Sequence, residues 1–167
     1  MITKATTQVF PTTINYRLTL EDYLRMCKFS SIEPYLPVNA RLVFRIADDI
    51  KETIVLLLQV PSNVALQSQF LEIDSKIRGA GYRPLRFQEL LAFALEYPTI
   101  QLEFAIAGIA SFFADSTGFF RVPVLCGPRF GVVKPERRLL FVRISEGNGS
   151  TNNFFGMNIV YAVVRQE

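Results

Sequence analysis

Few residues of this chain could carry chemistry. Among its 167 residues there is no histidine, so the commonest general base, the commonest metal ligand and the Ser-His and Cys-His pairs are absent. The remaining candidates are three pairs of acidic residues: Glu21 and Asp22, Asp48 and Asp49, and Glu72 and Asp74. Their surroundings assign them to solvated helix faces or turns, and no glycine-rich phosphate loop is present. We therefore predict that the protein is not an enzyme and binds no cofactor.

The two cysteines, Cys27 and Cys126, lie far apart in the sequence. Neither belongs to a CxxC pair or a Cys/His cluster, so we predict that the chain binds no metal. Two reduced, partly buried thiols are the simplest interpretation. A disulfide between them stays open.

Composition and charge limit the class of partner. Half of the residues are hydrophobic and 15 are Phe, enough for the core of one domain covering residues 1–167. The formal net charge is +3, and Lys and Arg are scattered along the chain. We therefore predict no nucleic-acid partner.

The N-terminal residues and the lengths of the apolar runs bear on export and membrane insertion. The first ten residues contain no apolar segment of the kind found in signal peptides, and no apolar run reaches the ~18 residues of a membrane span. We expect no membrane span. The location stays open, and a cytoplasmic or virion-associated protein is expected unless another route exports it.

The elements that would position any site follow an α+β pattern. A Thr-rich strand over 6–18, broken by Pro11, precedes a short helix that Thr19 caps with Asp22 three residues on. Strands are predicted over 40–47 and 52–60, and the second is apolar almost throughout and therefore central.

Two helices are predicted in the middle of the chain. One begins at Ser62 and ends near Gly79, and the next covers 86–97 and ends at Pro98. From Phe104 onward the pattern changes to short strands separated by Gly, Pro and Asn. The last third is therefore predicted to be rich in strands and loops.

One polar segment interrupts these last strands. "GNGSTNNFFGMN", residues 147–158, separates the apolar stretches "RRLLFVRIS" and "IVYAVVR". Gly, Asn and Ser tolerate turn conformations, so an ordinary hairpin loop explains the segment. A surface whose side chains are free to change is the alternative.

Several stretches together resemble the variable proteins of diversity-generating retroelements. The similar stretches, in chain order, are "YRLTLEDYLRMCKF" (16–29), "RFQELLAFALEYP" (86–98), "IAGIAS" (106–111), "RVPVL" (121–125), "RRLLFVRI" (137–144) and "YAVVR" (161–165). The resemblance covers nearly the whole chain and depends on the order and spacing of these motifs. That family often has Trp on its C-terminal strands, where this chain has Phe113 and Phe155.

The resemblance implies a fold and a function. The fold would be a C-type lectin-like domain, with two helices packed on small mixed or antiparallel sheets and a β- and loop-rich C-terminal third. The function would be the binding of an unknown protein or cell-surface ligand through a variable region at about 112–165. A reverse transcriptase that miscopies adenines would rewrite the contact residues. Neither calcium nor sugar binding follows from the fold name.

The genetic code sorts neighbouring residues within that region. Asn is what an unedited AAC or AAU codon encodes, and changes in its first two bases reach Ser, Gly, Phe and Arg but not Glu, Lys or Met. Positions that could be unedited are Asn152, Asn153 and Asn158, and positions that could be edited are Ser145, Gly147, Phe154 and Gly156. Positions that must be fixed are Lys134, Glu146 and Met157.

Strand alternation adds further candidates. In "RRLLFVRIS" one face carries Leu140, Val142 and Ile144 and is expected to join the core. The other face is expected to project outward as ligand-binding residues: Leu139, Phe141, Arg143 and Ser145. Two aromatic residues on an expected loop tip, Phe119 and Phe120, complete the predicted site. The predicted fixed core behind it includes Val122, Leu125, Leu140, Val142, Ala162 and Val164.

Two other classes of function remain as alternatives. A structural or assembly subunit of a virus or filament would use the same C-terminal third as its interface. An enzyme of the formylglycine-generating type shares the lectin-like fold, but the chain is short for that class and lacks a paired-cysteine site. The oligomeric state stays open.

Overall fold

The computed structural model describes residues 2–4, 6–32, 49–59, 70–114, 120–127, 136–144 and 159–166, with the backbone alone at 70, 71, 113, 114, 120, 143 and 144. The described part is mixed α+β, as predicted. Its elements, in chain order, are β1 (Thr3–Lys4), β2 (Phe10–Asn15), α1 (Leu20–Cys27), β3 (Ser31–Ile32), β4 (Ile50–Gln59), α2 (Phe70–Gly79), β5 (Tyr82–Pro84), α3 (Phe87–Glu96), a 3-10 turn (Ile100–Leu102), β6 (Ala105–Ala107), β7 (Phe113–Ala114), β8 (Phe120–Cys126), β9 (Arg138–Ile144) and β10 (Ile159–Arg165).

Helix α1 begins as its sequence predicts. The Thr19 hydroxyl accepts the Asp22 N–H at 3.1 Å, and the Asp22 carboxylate accepts the Thr19 N–H at 3.0 Å. This reciprocal capping box satisfies two backbone donors that a helix N-terminus otherwise leaves exposed. Lys28 ends the helix in the left-handed conformation, with a φ of 49°.

The two middle helices also lie where the periodicity predicts. Ile73 and Ile77 of α2 are buried, and Gly79 is its last residue. The predicted start at Ser62 and the predicted strand over 40–47 fall outside the described residues. Helix α3 ends at Glu96, two residues before Pro98.

The strands form one mixed sheet in the order β1-β4-β10-β6-β8-β9-β3, with β2 paired to β4, β5 to β10 and β7 to β8. Strand β10 runs parallel to β6, and β3 runs parallel to β9; the other described pairings are antiparallel. Strand β4 pairs with β1, β2 and β10, which confirms its predicted central place.

Pro11 does not break β2, contrary to expectation. The strand is continuous from Phe10 to Asn15, and Pro11 is paired with Ile54 of β4. The other edge of β2 is bonded to side chains: the Pro11 carbonyl accepts the Tyr97 hydroxyl, and the Thr13 N–H donates to Glu96. Proline is tolerated there because its missing N–H would point away from β4.

The sheet is buried on both faces. The first core packs α1 and α3 on one face and includes Val55, Leu57 and Leu125. The second core packs α2 on the other face and includes Leu56, Leu58 and Val124. Successive residues of a strand point to opposite faces, so strands buried on both sides read as continuous apolar runs.

The two cysteines are buried, and neither forms a disulfide bond. Cys27 lies in the first core and Cys126 in the second, on the opposite face of the sheet. This placement agrees with two reduced thiols and gives no disulfide between them. Burial raises the pKa of the Cys27 thiol to about 11.

Candidate ligand-binding site

The structure places four of the predicted site residues on described strands. Phe120 begins β8, and Leu139, Phe141 and Arg143 lie on β9. The other predicted site residues fall outside the described residues: Phe119, Ser145, Gly147, Asn152, Asn153, Phe154, Gly156 and Asn158. The site can therefore be built from the strands that lead into those segments.

The prediction that Leu139 and Phe141 project outward is wrong. Their exposed fractions are 0% and 1%, and both belong to the first core. The Phe141 ring meets the Phe87 ring of α3 edge-on, with centroids 5.6 Å apart, an arrangement typical of packed aromatic pairs. Helix α3 covers the face that strand alternation assigned to the ligand.

The face predicted to be core is covered less completely. Leu140 and Val142 are half-buried and pack against the second core. The other predicted core residues are fully buried, as expected: Val122, Leu125, Ala162 and Val164. Four consecutive apolar residues over 139–142 were the signal for a strand buried on both faces.

The register brings two arginines opposite each other near one end of the sheet. Arg121 of β8 pairs with Arg143 of β9, one step from the terminal pair Phe120 and Ile144. Strand β7 continues this end, with Phe113 opposite Arg121. We call this region the strand end, defined by Phe112, Phe113–Ala114, Phe120–Arg121 and Arg143–Ile144.

Two further stretches of the predicted variable region, about 112–165, are joined to the strand end along the chain. Residues 115–119 precede Phe120, and residues 145–158 follow Ile144. Because Phe120 and Ile144 pair with each other, the two segments connect to the sheet at a common position. Candidates from separate parts of the sequence thus share one point of attachment.

Arg121 is held in place by the strand beside it. Its Nη1 donates to the Phe141 carbonyl at 2.8 Å, and the residue is half-buried. The backbone of β9 therefore holds the Arg121 guanidinium on one side.

Phe112 is an aromatic residue that the sequence reasoning missed. Its exposed fraction is 53%, and it directly precedes β7. Strand β6 ends at Ala107 and a turn follows, so Phe112 lies beyond the buried part of the apolar stretch 104–113. The Gly108 and Ser111 positions within that stretch were the available signal for a turn.

The segment that leads into the strand end is bonded to the first turn of α3. The Ser111 hydroxyl accepts the Phe87 N–H at 2.9 Å, and Leu85 N–H donates to the Ala162 carbonyl. These bonds join α3 to the segment before β7 and to β10. The backbone near Phe112 is thus tied to buried elements without using any predicted variable residue.

A buried ionic group lies at the same end of α3. We call it the Glu89 network, consisting of Tyr16, Arg83, Arg86 and Glu89. Arg83 donates twice to the Glu89 carboxylate, at 2.8 and 2.9 Å. The Tyr16 hydroxyl donates to it at 2.7 Å, and the Arg86 N–H donates at 2.8 Å. A carboxylate with four donors is suited to a structural role.

Electrostatics agrees with that role. Burial raises the pKa of Glu89, but the bonds from Arg83, from the Arg86 N–H and from Tyr16 outweigh it, so that the pKa is lowered overall. Burial, together with the bond to Glu89, raises the pKa of the Tyr16 hydroxyl. Glu89 therefore stays ionised and Tyr16 neutral at neutral pH.

Over the described ranges, no group of three or more His, Cys, Asp or Glu residues could hold a metal ion. Within the same part of the chain, no helix is long and apolar enough to cross a membrane.

Comparison with protein-family models, with curated proteins and with solved structures finds no match.

Proposed function

We propose that this protein is a ligand-binding, receptor-type protein that displays changeable surface residues on a C-type lectin-like scaffold. A retroelement would diversify those residues, and no catalytic step belongs to the proposed function. The motif resemblance over residues 16–165 is the origin of this proposal, and the geometry of the strand end is its physical support.

The observation that carries the proposal is the pairing of Phe120 with Ile144. Residues 115–119 and 145–158, both inside the predicted variable region of about 112–165, connect to the sheet at this pair. Behind it lie fully buried residues of both cores, such as Val122 and Phe141. Contact residues can change at a surface backed in this way because substitutions outside the core cost within about 0.5 kcal/mol each, whereas large-to-small core changes cost ~2–5.

The lectin-like scaffold has topological support of a coarser kind. Strand β10, close to the end of the chain, lies inside the sheet between β4 and β6. Helices α1 and α3 pack together on one face. An α+β sheet that contains its last strand, with helices packed beside it, is compatible with the proposed scaffold.

The buried positions refine which residues belong to the site. Leu139 and Phe141 are removed from it because a ligand cannot reach them. Arg121 is added because the register places it opposite Arg143, and Phe112 is added because it is exposed directly before β7. The proposed contact surface is therefore the strand end together with the two segments that it connects.

Sequencing of the DNA that flanks the gene tests this function. We expect a near-copy of the codons for about 112–165 and a reverse transcriptase gene nearby, with differences only where the copy has adenine. Leu and Phe can both be reached from AAC or AAU codons, yet codons 139 and 141 should not vary because their side chains are core. Differences spread over all four bases, or no copy at all, would refute the proposal.

An assembly subunit is the second candidate, and one observation favours it. Three apolar side chains are about half exposed on or next to the paired strands β2 and β4: Val9, Ile50 and Ile54. This surface is separate in sequence from the C-terminal third that was predicted as the subunit interface. Light scattering over a concentration series distinguishes the two candidates. Large particles that form with increasing concentration, and that Ile54→Glu abolishes, would favour the assembly subunit.

A further inference from the structure

We infer that side chains from α1 and from the end of α3 close the outer edge of β2, so that a second copy of this chain cannot add its own β2 there. Three side chains carry the inference, and we call them the edge lock: Tyr23, Glu96 and Tyr97. The inference concerns self-association and is independent of the proposed function and of its ligand.

The pairing of β2 shows which of its backbone groups point outward. Among the described strands, β2 pairs with β4 alone. The Tyr16 N–H, directly after β2, donates to the Asp49 carbonyl before β4, so the even-numbered residues face the partner strand. Because backbone groups alternate in direction along an antiparallel strand, those of Pro11, Thr13 and Asn15 point away from β4.

Side chains from the end of α3 occupy the first part of this edge. Pro11 has no N–H to offer, and its carbonyl accepts the Tyr97 hydroxyl. The Thr13 N–H donates to the Glu96 carboxylate at 2.9 Å. A strand that approached from this side would have to displace both side chains, and it would still find no donor at Pro11.

Buried contacts hold both tyrosines of the edge lock in position. Tyr23 is 1% exposed; its hydroxyl accepts the Asn15 N–H at 2.8 Å and donates to the Asn15 carbonyl at 3.2 Å. The Tyr97 ring meets the Phe10 ring of β2 edge-on, with centroids 5.0 Å apart, and also contacts Phe93 of α3. The hydroxyls are therefore placed at the edge by the packing of the first core.

A second copy of the chain is the strand that the edge lock excludes. Unpaired N–H and C=O groups along a strand edge are a template for pairing with another chain. Val9 and Ile54, which lie beside this edge, are 46% and 55% exposed, so pairing here would also bring apolar side chains together. An edge open on one copy is open on every copy, and two identical edges can close a two-fold symmetric pair.

Sedimentation velocity of the full chain over a concentration series tests the inference. The double variant Glu96→Ala with Tyr97→Phe removes the acceptor of the Thr13 N–H and the donor to the Pro11 carbonyl, but it keeps the aromatic ring at position 97. We expect this variant to form dimers with a dissociation constant at least about tenfold lower than that of the wild type. Glu96→Ala alone should give a smaller shift in the same direction.

Two further variants show whether the edge itself is responsible. Glu96→Gln is the matched control, because the amide oxygen can still accept the Thr13 N–H, and it should associate no more than the wild type. Thr13→Pro, added to the double variant, removes the outward N–H at an edge that already tolerates a proline and should abolish the new dimers. Far-UV circular dichroism verifies that each variant is folded, and Glu96→Ala alone replaces the double variant if that one is not.

Three results would overturn the inference. A folded variant without the lock contacts that associates no more than the wild type would show that these side chains do not close the edge. Dimers that persist with Thr13→Pro would show that the copies meet through another surface, such as the one that contains Val9 and Ile54. Association of the wild type that Thr13→Pro abolishes would show that the native edge is open. None of these results depends on a template copy in the flanking DNA, so the edge lock and the proposed function can fail separately.

Discussion

The Glu89 network and the strand end both contain arginine, but the neighbours of the arginines differ between the two regions. In the network, Arg83 meets a fully buried carboxylate through two bonds, and Tyr16 and a backbone N–H complete its set of donors. At the strand end, Arg121 and Arg143 are placed opposite each other by the register. The first arrangement compensates a buried charge within the fold, and the second brings two arginine positions together by strand register alone.

The difference separates a group that stabilises the fold from the region where we propose that a ligand binds. A buried ion pair that loses one partner leaves an uncompensated charge, so the network resists substitution. Cations of like sign at directly opposed strand positions are less favourable for the fold. The two regions are connected through α3 and β9. Glu89 and Phe87 both lie in the first turn of α3, the Phe87 ring contacts the Phe141 ring, and the Phe141 carbonyl accepts a hydrogen bond from Arg121.

Phe141→Ala should have the largest effect on stability. The side chain is 1% exposed and packs on Phe87, so its removal leaves a cavity between β9 and α3. We expect the free energy of unfolding to fall by about 3–5 kcal/mol, measured by urea denaturation. A change below about 1 kcal/mol would show that α3 does not cover this face and would return Phe141 to the surface.

Glu89→Gln should cost about 3 kcal/mol in the same measurement. The amide keeps the shape of the side chain but loses the charge that compensates Arg83, and it can accept fewer of the four bonds. Glu103→Gln is the matched control. Glu103 is exposed beyond the 3-10 turn, so its replacement should change stability within about 0.5 kcal/mol. Equal effects of the two substitutions would contradict a structural network.

The network also predicts the direction of a pH dependence. The pKa of Glu89 is lower in the folded state than its ordinary value, so the folded state holds its proton less tightly than the unfolded state. The stabilisation is therefore complete above the unfolded pKa and is lost as the pH falls through the folded pKa. Between about pH 7 and about pH 3, the free energy of unfolding should therefore decrease less with falling pH for Glu89→Gln than for the wild type. Parallel curves would show that Glu89 titrates normally.

The sequence predicted well those features that depend on neighbouring residues. Local spacing determines the capping box of Thr19 and Asp22 and the apolar periodicity of α2. A long apolar run indicated that β4 lies between other strands. The prediction that Pro11 breaks the strand was wrong because the sequence does not show which edge of the strand is paired. A proline whose nitrogen points away from the neighbouring strand is tolerated.

The site was harder to predict because it depends on distant contacts. Which face of β9 is covered depends on α3, about 50 residues earlier in the sequence, so alternation assigned Leu139 and Phe141 to the wrong side. Tyr16 and Glu89 meet across 73 residues, and no pattern in either segment indicates the bond. The opposition of Arg121 and Arg143 appears only when the register of β8 and β9 is fixed.

Arg143→Gln and Arg138→Gln apply the same substitution to two positions of β9, and they should differ in sign or size. Arg138 is 4% exposed and bonded twice to Gly127, so its loss should cost about 1.5–3 kcal/mol. Arg143 lies opposite another arginine, so removing its charge should change the free energy of unfolding within about 0.5 kcal/mol, in the stabilising direction. Urea denaturation of both variants measures the difference. A loss above about 1 kcal/mol for Arg143→Gln would mean that this residue supports the fold as Arg138 does, and the contrast between the two positions would then disappear.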